Sequence, residues 1–379
     1  MKRPDFLEIF ARRRGGIATV TGPGLVSREL FALTGDDASV LYNMEMPYAS
    51  PLSMGLAMAR PAERFVALEG DGSLLSALGI LTTVGRYRPA NLTIIVLDNG
   101  SYSSFGAGMI SATAAGIDLT AVARGCGIER TLRVATIAEA EAAMPRVLQE
   151  PGPWVLVAKV DPQSEPDPRF VRNSPDVTEQ SVYFVKRLRD SAARAGRPGT
   201  FDAVPAQAPS PSFRYDVARS FADSLKASGI VFSVMLPDSV MHPVNELLLE
   251  DPAVACVGCS REDEGIAIAA GAGWGGCPAA VSMEGSAIGL SGLILARAVI
   301  QRSPVLLLAS HSSVLGERFG YHAATRAVTQ PILDALRIPY HVLRDAAEIP
   351  HVVREIVRTM EGQRIPVAIL VPPFILSTR

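Results

Sequence analysis

The sequence has little of several features that mark whole classes of protein. Cysteine occurs only 4 times in 379 residues, too few for a secreted scaffold stapled by disulfides. Neither charge sign is in excess, because 36 Lys and Arg against 38 Asp and Glu leave a net charge of −2, whereas a dedicated nucleic-acid-binding protein is strongly basic. No apolar run reaches the roughly 18 residues of a membrane span, and the basic start MKRPDFLEIFARRRGG has no apolar stretch behind it. We expect a soluble, cytoplasmic protein with no nucleic-acid or membrane partner.

Two of the cysteines have a spacing found in metal and redox sites. Cys256 and Cys259 form a C-x-x-C pattern, and Cys277 follows downstream. A structural zinc site uses four ligands, and no further histidine or cysteine completes this set at a suitable spacing. Cys256 also lies in the apolar run AVACVG, where cysteine behaves as a small hydrophobic residue. We interpret these residues as packing residues rather than ligands.

The chain does contain two successive series of apolar strands that alternate with helices. Strands are predicted at 17–22, 40–43, 64–68, 91–97 and 154–160, and then at 230–236, 253–258, 278–283, 304–310 and 366–371. Such strands indicate parallel sheets covered on both faces, and a length of 379 residues favours two domains. The predicted fold is α/β, with two doubly wound parallel-sheet domains at 1–189 and 212–379. An Ala/Pro/Gly/Ser-rich linker is predicted at 190–211.

The most informative turn is Gly70-Asp71-Gly72-Ser73, between the strand at 64–68 and a predicted helix. Ligands of open parallel sheets bind beyond the carboxyl ends of the strands. The two glycines let the backbone approach a phosphate, the helix N-terminus favours an anion, and Asp71 offers a carboxylate oxygen suited to Mg²⁺. Taken alone, the same residues also fit an ordinary Asp-Gly turn.

A second polar residue follows the next predicted strand. Asn99 comes 28 residues after Asp71, and one strand–helix–strand crossover takes roughly 30 residues, so both should lie at neighbouring strand ends. A carboxylate, an amide oxygen and a backbone carbonyl near Ser101 could then hold one Mg²⁺, with phosphate oxygens completing its coordination.

On these residues the sequence resembles the thiamine diphosphate-dependent enzymes, whose fingerprint is GDG, a spacer of this length and an Asn. The segments GPGLVSRELF, MPYASPLSMGLAMA, LDNGSYSSFG and LTAVARGCGI look like the diphosphate-binding subunit of sulfopyruvate decarboxylase. Further on, LPDSVMHPVNELL resembles phosphonopyruvate decarboxylase, and SREDEGIAIAAGAGWGG and SHSSVLGERFGYH resemble the pyrimidine-binding half of both enzymes. The diphosphate-binding half comes first, the reverse of most single-chain members, as if two subunits were fused.

The resemblance implies a set of cofactor contacts. Asp71, Asn99 and the Ser101 carbonyl would hold Mg²⁺, while Gly70, Gly72 and Ser73 would line the pocket of the diphosphate and Tyr102 would also bind the cofactor. Met46 takes the position of a bulky apolar residue that wedges the two cofactor rings, although it could also be core filler. Glu262, nine residues before Gly271, would hydrogen-bond the aminopyrimidine ring. That role needs a protonated carboxyl, which apolar surroundings favour, and the alternative is a helix N-terminal carboxylate.

Decarboxylation also needs a group that donates a proton to the product. The candidates at strand ends of the second domain are His311, His322 and Asp238, with His242 beside the last; His341 and His351 are interpreted as structural.

The resemblance has departures near the expected substrate. His242 and Ser313 stand where the phosphonopyruvate and sulfopyruvate enzymes carry Lys and Arg, cations that pair the substrate's phosphonate or sulfonate. Arg318 or Arg326 could take over that role. Glu284-Gly285 replaces the family's Gln-Asn.

The resemblance implies a thiamine diphosphate- and Mg²⁺-dependent decarboxylase that converts a small anionic 2-oxo acid to an aldehyde and CO₂. A carbon–carbon ligase of the acyloin or acetolactate type and a non-catalytic thiamine diphosphate-binding protein are the alternatives. A transketolase-like enzyme would need a third domain, for which 379 residues leave no room. In this family the cofactor lies between the diphosphate domain of one chain and the pyrimidine domain of another, so we expect at least a homodimer.

Overall fold

The computed structural model describes residues 1–102, 110–162, 176–191, 213–312, 314–315 and 322–378. The chain divides into two units, Met1–Gly196 and Arg197–Arg379. Each unit is built on a six-stranded parallel sheet with flanking helices, which confirms the predicted α/β class. The predicted linker at 190–211 lies outside the described residues from 192 onward.

The first unit has a sheet whose central strands are buried runs of aliphatic residues. Its strands are β1 (Ala18–Thr21), β2 (Val40–Leu41), β3 (Phe65–Gly70), β4 (Leu92–Asp98), β5 (Arg130–Val134) and β6 (Trp154–Lys159). They are parallel in the order β2-β1-β3-β4-β6-β5. The helices are α1 (Arg3–Arg13), α2 (Leu25–Thr34), α3 (Ala49–Ala59), α4 (Asp71–Leu75), α5 (Gly79–Tyr87), α6 (Leu119–Gly125), α7 (Ile137–Gln149) and α8 (Val177–Asp190).

The second unit repeats this architecture. Its strands are β7 (Phe232–Met235), β8 (Ala255–Gly258), β9 (Ala279–Met283), β10 (Leu306–Ser310), β11 (Tyr340–Val342) and β12 (Val367–Val371). They are parallel in the order β11-β12-β10-β9-β7-β8. The helices are α9 (Tyr215–Ala227), α10 (His242–Glu250), α11 (Glu262–Trp274), α12 (Ala287–Leu290), α13 (Gly292–Ile300), α14 (Ala323–Ala335), α15 (Ile349–Gln363) and α16 (Pro373–Leu376). Across the described ranges, no helix is long and apolar enough to cross a membrane.

Helix ends follow local chemistry. Helix α7 begins at a capping box, in which the Thr136 hydroxyl accepts from the Glu139 N–H while the Glu139 carboxylate accepts from the Thr136 N–H. The Asp118 carboxylate caps α6 by accepting from the N–H groups of Thr120 and Ala121. These caps satisfy backbone donors that the helices cannot satisfy themselves.

Both sheets are covered by amphipathic helices. In the first unit, Phe6 and Phe10 of α1 are fully buried in a core that includes Trp154 of β6. In the second, Val353 and Met360 of α15 are fully buried against the sheet. Burying such side chains contributes about 1.5–3 kcal/mol each, so each helix is held mainly by its apolar face.

Two features differ from the sequence expectations. Strands β5 and β11 were not predicted because both are short edge strands whose residues are largely half-exposed, so they lack a continuous apolar run. The single helix predicted after the Gly70-Asp71-Gly72-Ser73 turn divides into α4 and α5 around a turn at 76–78. Helix α4 therefore has only five residues.

Candidate active site

The carboxyl ends of β3 and β4 bring the two predicted metal-binding residues to adjacent strands. Gly70 of β3 pairs with Leu97 of β4 in the parallel register. Asp71 is thus one residue, and Asn99 two residues, beyond a paired position at the same sheet edge. Side chains at this edge can converge on one ligand.

Two hydroxyl groups hold the Asp71 carboxylate in a fixed orientation. Ser111 Oγ donates to Asp71 Oδ2 at 2.5 Å, and Thr113 Oγ1 donates to the same oxygen at 2.6 Å. The two hydroxyls are 2.7 Å apart, and Asp71 is 1% exposed. Within the described parts of the chain, Asp71 Oδ1 accepts no hydrogen bond, so this oxygen remains available to a cation.

The segment after β4 returns to the same edge. The Ser101 N–H donates to Asn99 Oδ1 at 3.0 Å, and this amide oxygen keeps a second lone pair for a ligand. Ser101 pairs with Ile110 in an antiparallel bridge, and the Ser111 N–H donates to the Gly100 carbonyl at 2.9 Å. These bonds bring Ser111 and Thr113 to Asp71.

One cleft is lined by all eight residues predicted in the first domain: Met46, Gly70, Asp71, Gly72, Ser73, Asn99, Ser101 and Tyr102. A Cβ atom added at Gly72 would lie 2.5 Å from Tyr102 Cδ1, so only glycine lets this ring pack on the turn. Met46 is 39% exposed and Tyr102 41% exposed, which leaves both side chains available to a ligand.

A buried carboxyl group lies behind the turn. Glu69 is fully buried, and it accepts hydrogen bonds from the Ser50 hydroxyl and, at 2.6 Å, from the Ser73 hydroxyl. Burial raises the pKa of Glu69 to about 7, and the two serine hydroxyls partly offset this rise. Glu69 therefore fixes the Ser73 side chain, which itself lines the cleft.

The cleft fits a hard divalent cation and a diphosphate. It offers a carboxylate oxygen and an amide oxygen, the donor types that Mg²⁺ prefers. No group of three His, Cys, Asp or Glu side chains gathers as a metal site in the described chain, so oxygens of a bound ligand would complete the coordination. Because α4 is so short, its dipole adds little to anion binding.

In the second unit, a polar group lies at the carboxyl ends of β7, β9 and β10. Asp238 accepts from the N–H groups of Val240 and Met241 at 2.9 and 2.7 Å, and from Ser310 Oγ at 2.9 Å. Burial raises the pKa of Asp238, the three donors oppose this, and the charge of Glu284 adds to it.

His311 directly follows Ser310 and is 6% exposed. Burial lowers the pKa of this imidazole, and its Nδ1 has no hydrogen-bond partner in the described chain. The structure therefore brings Asp238 and His311 together at one sheet edge.

The other residues predicted in this domain lie at element starts. Glu262 is the first residue of α11 and is half-buried. His322 directly precedes α14 and is half-buried, while the ring of His242 lies 5.6 Å from that of Phe213. Two residues, Ser313 and Arg318, lie outside the described residues.

Cys256 of the C-x-x-C pattern packs inside the second sheet. Cys256 is buried in β8, where its thiol donates to the Leu248 carbonyl and burial raises its pKa to about 12. A buried, protonated thiol is a poor metal ligand. This agrees with the interpretation of Cys256 as a packing residue.

Sequence reasoning missed four residues at the first site: Arg3, Glu69, Ser111 and Thr113. Glu69 directly precedes the Gly-Asp-Gly turn, and an acidic residue at the end of an apolar strand was a signal that could have found it. The other three lie far from the turn in sequence, and nothing in their local pattern singles them out.

The chain is similar to known proteins in both sequence and structure. A family model described as the thiamine pyrophosphate enzyme, C-terminal TPP binding domain, matches residues 31–158. The chain is 30% identical over 146 residues to sulfopyruvate decarboxylase subunit beta of Methanocaldococcus jannaschii, covering 38% of this chain and 76% of that subunit. It is 32% identical over 136 residues to subunit alpha of the Methanothermobacter thermautotrophicus enzyme, covering 36% of this chain and 82% of that subunit.

A longer relative is matched over only about a third of its own length. Phosphonopyruvate decarboxylase of Streptomyces viridochromogenes is 34% identical over 147 residues, which is 39% of this chain but 36% of that enzyme. Among solved structures, transketolase from Campylobacter jejuni superposes with a TM-score of 0.62 at 12% identity, covering 99% of this chain and 78% of that one. At this identity the likeness concerns the fold alone.

Proposed function

Because this chain belongs to the family of thiamine diphosphate-dependent decarboxylases that includes sulfopyruvate decarboxylase, we propose that it catalyses the Mg²⁺-dependent, non-oxidative decarboxylation of a small anionic 2-oxo acid to an aldehyde and CO₂. Sulfopyruvate and phosphonopyruvate, the substrates named for its relatives, are the first candidates. Thiamine diphosphate, when bound, accepts the electron pair that the departing carboxylate leaves behind.

The observation that carries this proposal is the orientation of Asp71. With Oδ2 held by two hydroxyls, and with Asp71 and Asn99 lining the same cleft, the residue can present Oδ1 to Mg²⁺. In this proposal Asn99 and the Ser101 carbonyl add two more protein oxygens, and diphosphate oxygens fill the remaining positions.

Other residues that line this cleft would contact the diphosphate and the rings of the cofactor. Gly70, Gly72 and Ser73 would face the diphosphate, since glycine lets the backbone approach closely and Glu69 orients the Ser73 hydroxyl. Met46 and Tyr102 would contact the rings, because both are partly exposed apolar surfaces lining the cleft.

The second unit would supply the groups that handle protons. Glu262 would hydrogen-bond the aminopyrimidine ring. Asp238, whose pKa is raised by burial, can hold a proton at a higher pH than an ordinary Asp, and the lowered pKa of His311 makes its imidazolium form a stronger acid than that of an ordinary His. We propose these two, with His322 as a further candidate, as donors to the product.

A carbon dioxide-release assay across pyruvate, sulfopyruvate, phosphonopyruvate and larger 2-oxo acids tests the function. We expect release that requires both thiamine diphosphate and Mg²⁺, with Glu262→Gln lowering the rate about 100-fold or more. The matched control is Glu250→Gln, at an exposed position at the end of α10, which should leave the rate unchanged. Wild-type rates in Glu262→Gln would refute its role, and products formed only with an added acceptor aldehyde would indicate a ligase instead.

The alpha and beta subunits of sulfopyruvate decarboxylase from Methanothermobacter thermautotrophicus are separate chains, and each is similar to this chain. We propose that this chain carries both parts and assembles as a homodimer or higher oligomer, with each active site formed by two chains. Mixing inactive Asp71→Ala and Glu262→Gln proteins tests this. In random hybrid dimers about a quarter of wild-type activity should return, because half the dimers are mixed and each mixed dimer has one intact site. No recovery after verified subunit exchange would mean that each site belongs to a single chain.

A further inference from the structure

The N-terminal helix reaches the cleft that lies beyond β3 and β4. The Asp161 N–H, just past β6, donates to the Met1 carbonyl at 2.9 Å. This bond holds the start of α1 at the carboxyl edge of the sheet. Arg3, the first residue of α1, lines the cleft together with Asp71, Ser73 and Asn99.

Arg3 is buried and oriented by Glu29. Its Nε donates to Glu29 Oε2 at 2.6 Å and its Nη2 to Glu29 Oε1 at 2.7 Å. Arg3 is 4% exposed and Glu29 is fully buried. Both carboxylate oxygens are therefore engaged by one edge of the guanidinium group, which leaves its orientation little freedom.

This pairing uses only two of the five N–H groups of the guanidinium. The other three, on Nη1 and Nη2, have no acceptor among the residues that the structure describes. Because Arg3 lines the cleft and its guanidinium group is held in place, these N–H groups can donate to an anionic ligand that binds there.

The cleft offers an anion little positive charge besides Arg3. Among the described residues that line it, Arg3 alone carries a positive charge, and Asp71 carries a negative one. Helix α4 spans only five residues, too few for an appreciable dipole. An anion with more than one charge would thus depend on a metal ion at Asp71 and on Arg3.

We propose that Arg3 donates hydrogen bonds to the terminal phosphate of the bound diphosphate, with Glu29 as the positioning residue that orients it. The inference rests on the proposed cofactor and deepens it, because a contact to the terminal phosphate makes Arg3 the residue that selects the diphosphate over the monophosphate. Lysine would not replace Arg3. A guanidinium group can pair with Glu29 along one edge and donate its other N–H groups to a ligand, whereas an ammonium group has no such planar edge.

Isothermal titration with thiamine diphosphate and with thiamine monophosphate, at fixed Mg²⁺, tests this without reference to activity. For Arg3→Lys we expect about 10-fold to 100-fold weaker binding of the diphosphate, as for loss of a charged hydrogen bond, and little change for the monophosphate. A double variant, Arg3→Met with Glu29→Met, removes both charges and leaves neither buried alone, so it should fold and lose the same preference. Circular dichroism melting checks the fold of each protein.

The matched control is Arg12→Met, on the same helix and paired with Glu141 at the surface away from the cleft. It should retain the wild-type preference. The proposal would be overturned if Arg3→Lys weakened the binding of thiamine diphosphate and thiamine monophosphate equally, or left the binding of both unchanged. Arg3 would then be only a member of a structural ion pair. If the wild-type chain binds no thiamine diphosphate, the proposed function fails as well. If the wild type decarboxylates while Arg3→Lys keeps full preference, only this inference fails.

Discussion

Removing the two hydroxyls that hold Asp71 is the most direct perturbation of the proposed metal site. In a variant with Ser111→Ala and Thr113→Val, Asp71 Oδ2 loses donors that now lie 2.5 and 2.6 Å away, while the change in volume is small. Asp71 is 1% exposed, so water cannot easily replace them. A hydrogen bond to a charged group contributes about 1.5–3 kcal/mol. Because the two hydroxyls also contact each other, the losses are not additive, and about 3 kcal/mol is expected for the pair.

The metal affinity should fall as well. Residues that orient a metal ligand typically contribute about 10-fold to 100-fold to the affinity, so the half-saturating Mg²⁺ concentration should rise by that factor. Urea unfolding of the metal-free protein measures the first effect, and Mg²⁺ titration at saturating thiamine diphosphate measures the second. Ser224→Ala, which removes a helix-surface hydroxyl in α9, serves as the control for loss of a hydroxyl alone. Wild-type Mg²⁺ dependence in the double variant would refute the view that these hydroxyls orient a metal ligand.

Three further changes test other parts of the two units. Gly72→Ala should weaken thiamine diphosphate binding and lower the free energy of unfolding by about 1–3 kcal/mol, since its Cβ would lie 2.5 Å from the Tyr102 ring. Calorimetry measures the binding and urea unfolding measures the stability. Adding Tyr102→Ala should restore the stability. The pKa of Glu69 is raised from 4.5 to about 7 in the folded protein, so the unfolded chain ionises first and stability should fall by about 3 kcal/mol between pH 4.5 and 7. Glu69→Gln should abolish that fall in metal-free urea unfolding, and a wild-type pH dependence in the variant would contradict the assignment. Burial also raises the pKa of Asp238, so a rate that depends on its proton should fall as the pH rises through this pKa, and a pH–rate profile of Asp238→Asn should lack that fall.

The fold was largely predictable because ten of the strands in the described chain are short, mostly apolar runs whose residues are nearly all buried. A continuous apolar run such as that of β4, in which every residue is buried, predicts a central strand of a parallel sheet without any knowledge of its neighbours. Strands β5 and β11 escaped prediction because their residues are largely half-exposed, whereas the edge strands at the other side of each sheet, β2 and β8, are largely buried and were predicted. The break between α4 and α5 was equally invisible, since the residues around it fit a continuous helix.

The sequence by itself determined the candidate metal pair: the spacing from Asp71 to Asn99 matches one crossover, and parallel strands end at the same sheet edge. Only the tertiary structure decided which groups surround that pair. Ser111 and Thr113 lie 40 and 42 residues from Asp71, and Glu29 lies 26 residues from Arg3. The physical reason is that a crossover places successive strand ends by backbone geometry alone, whereas contacts between a loop, an N-terminal helix and a turn depend on how the helices pack on the sheet.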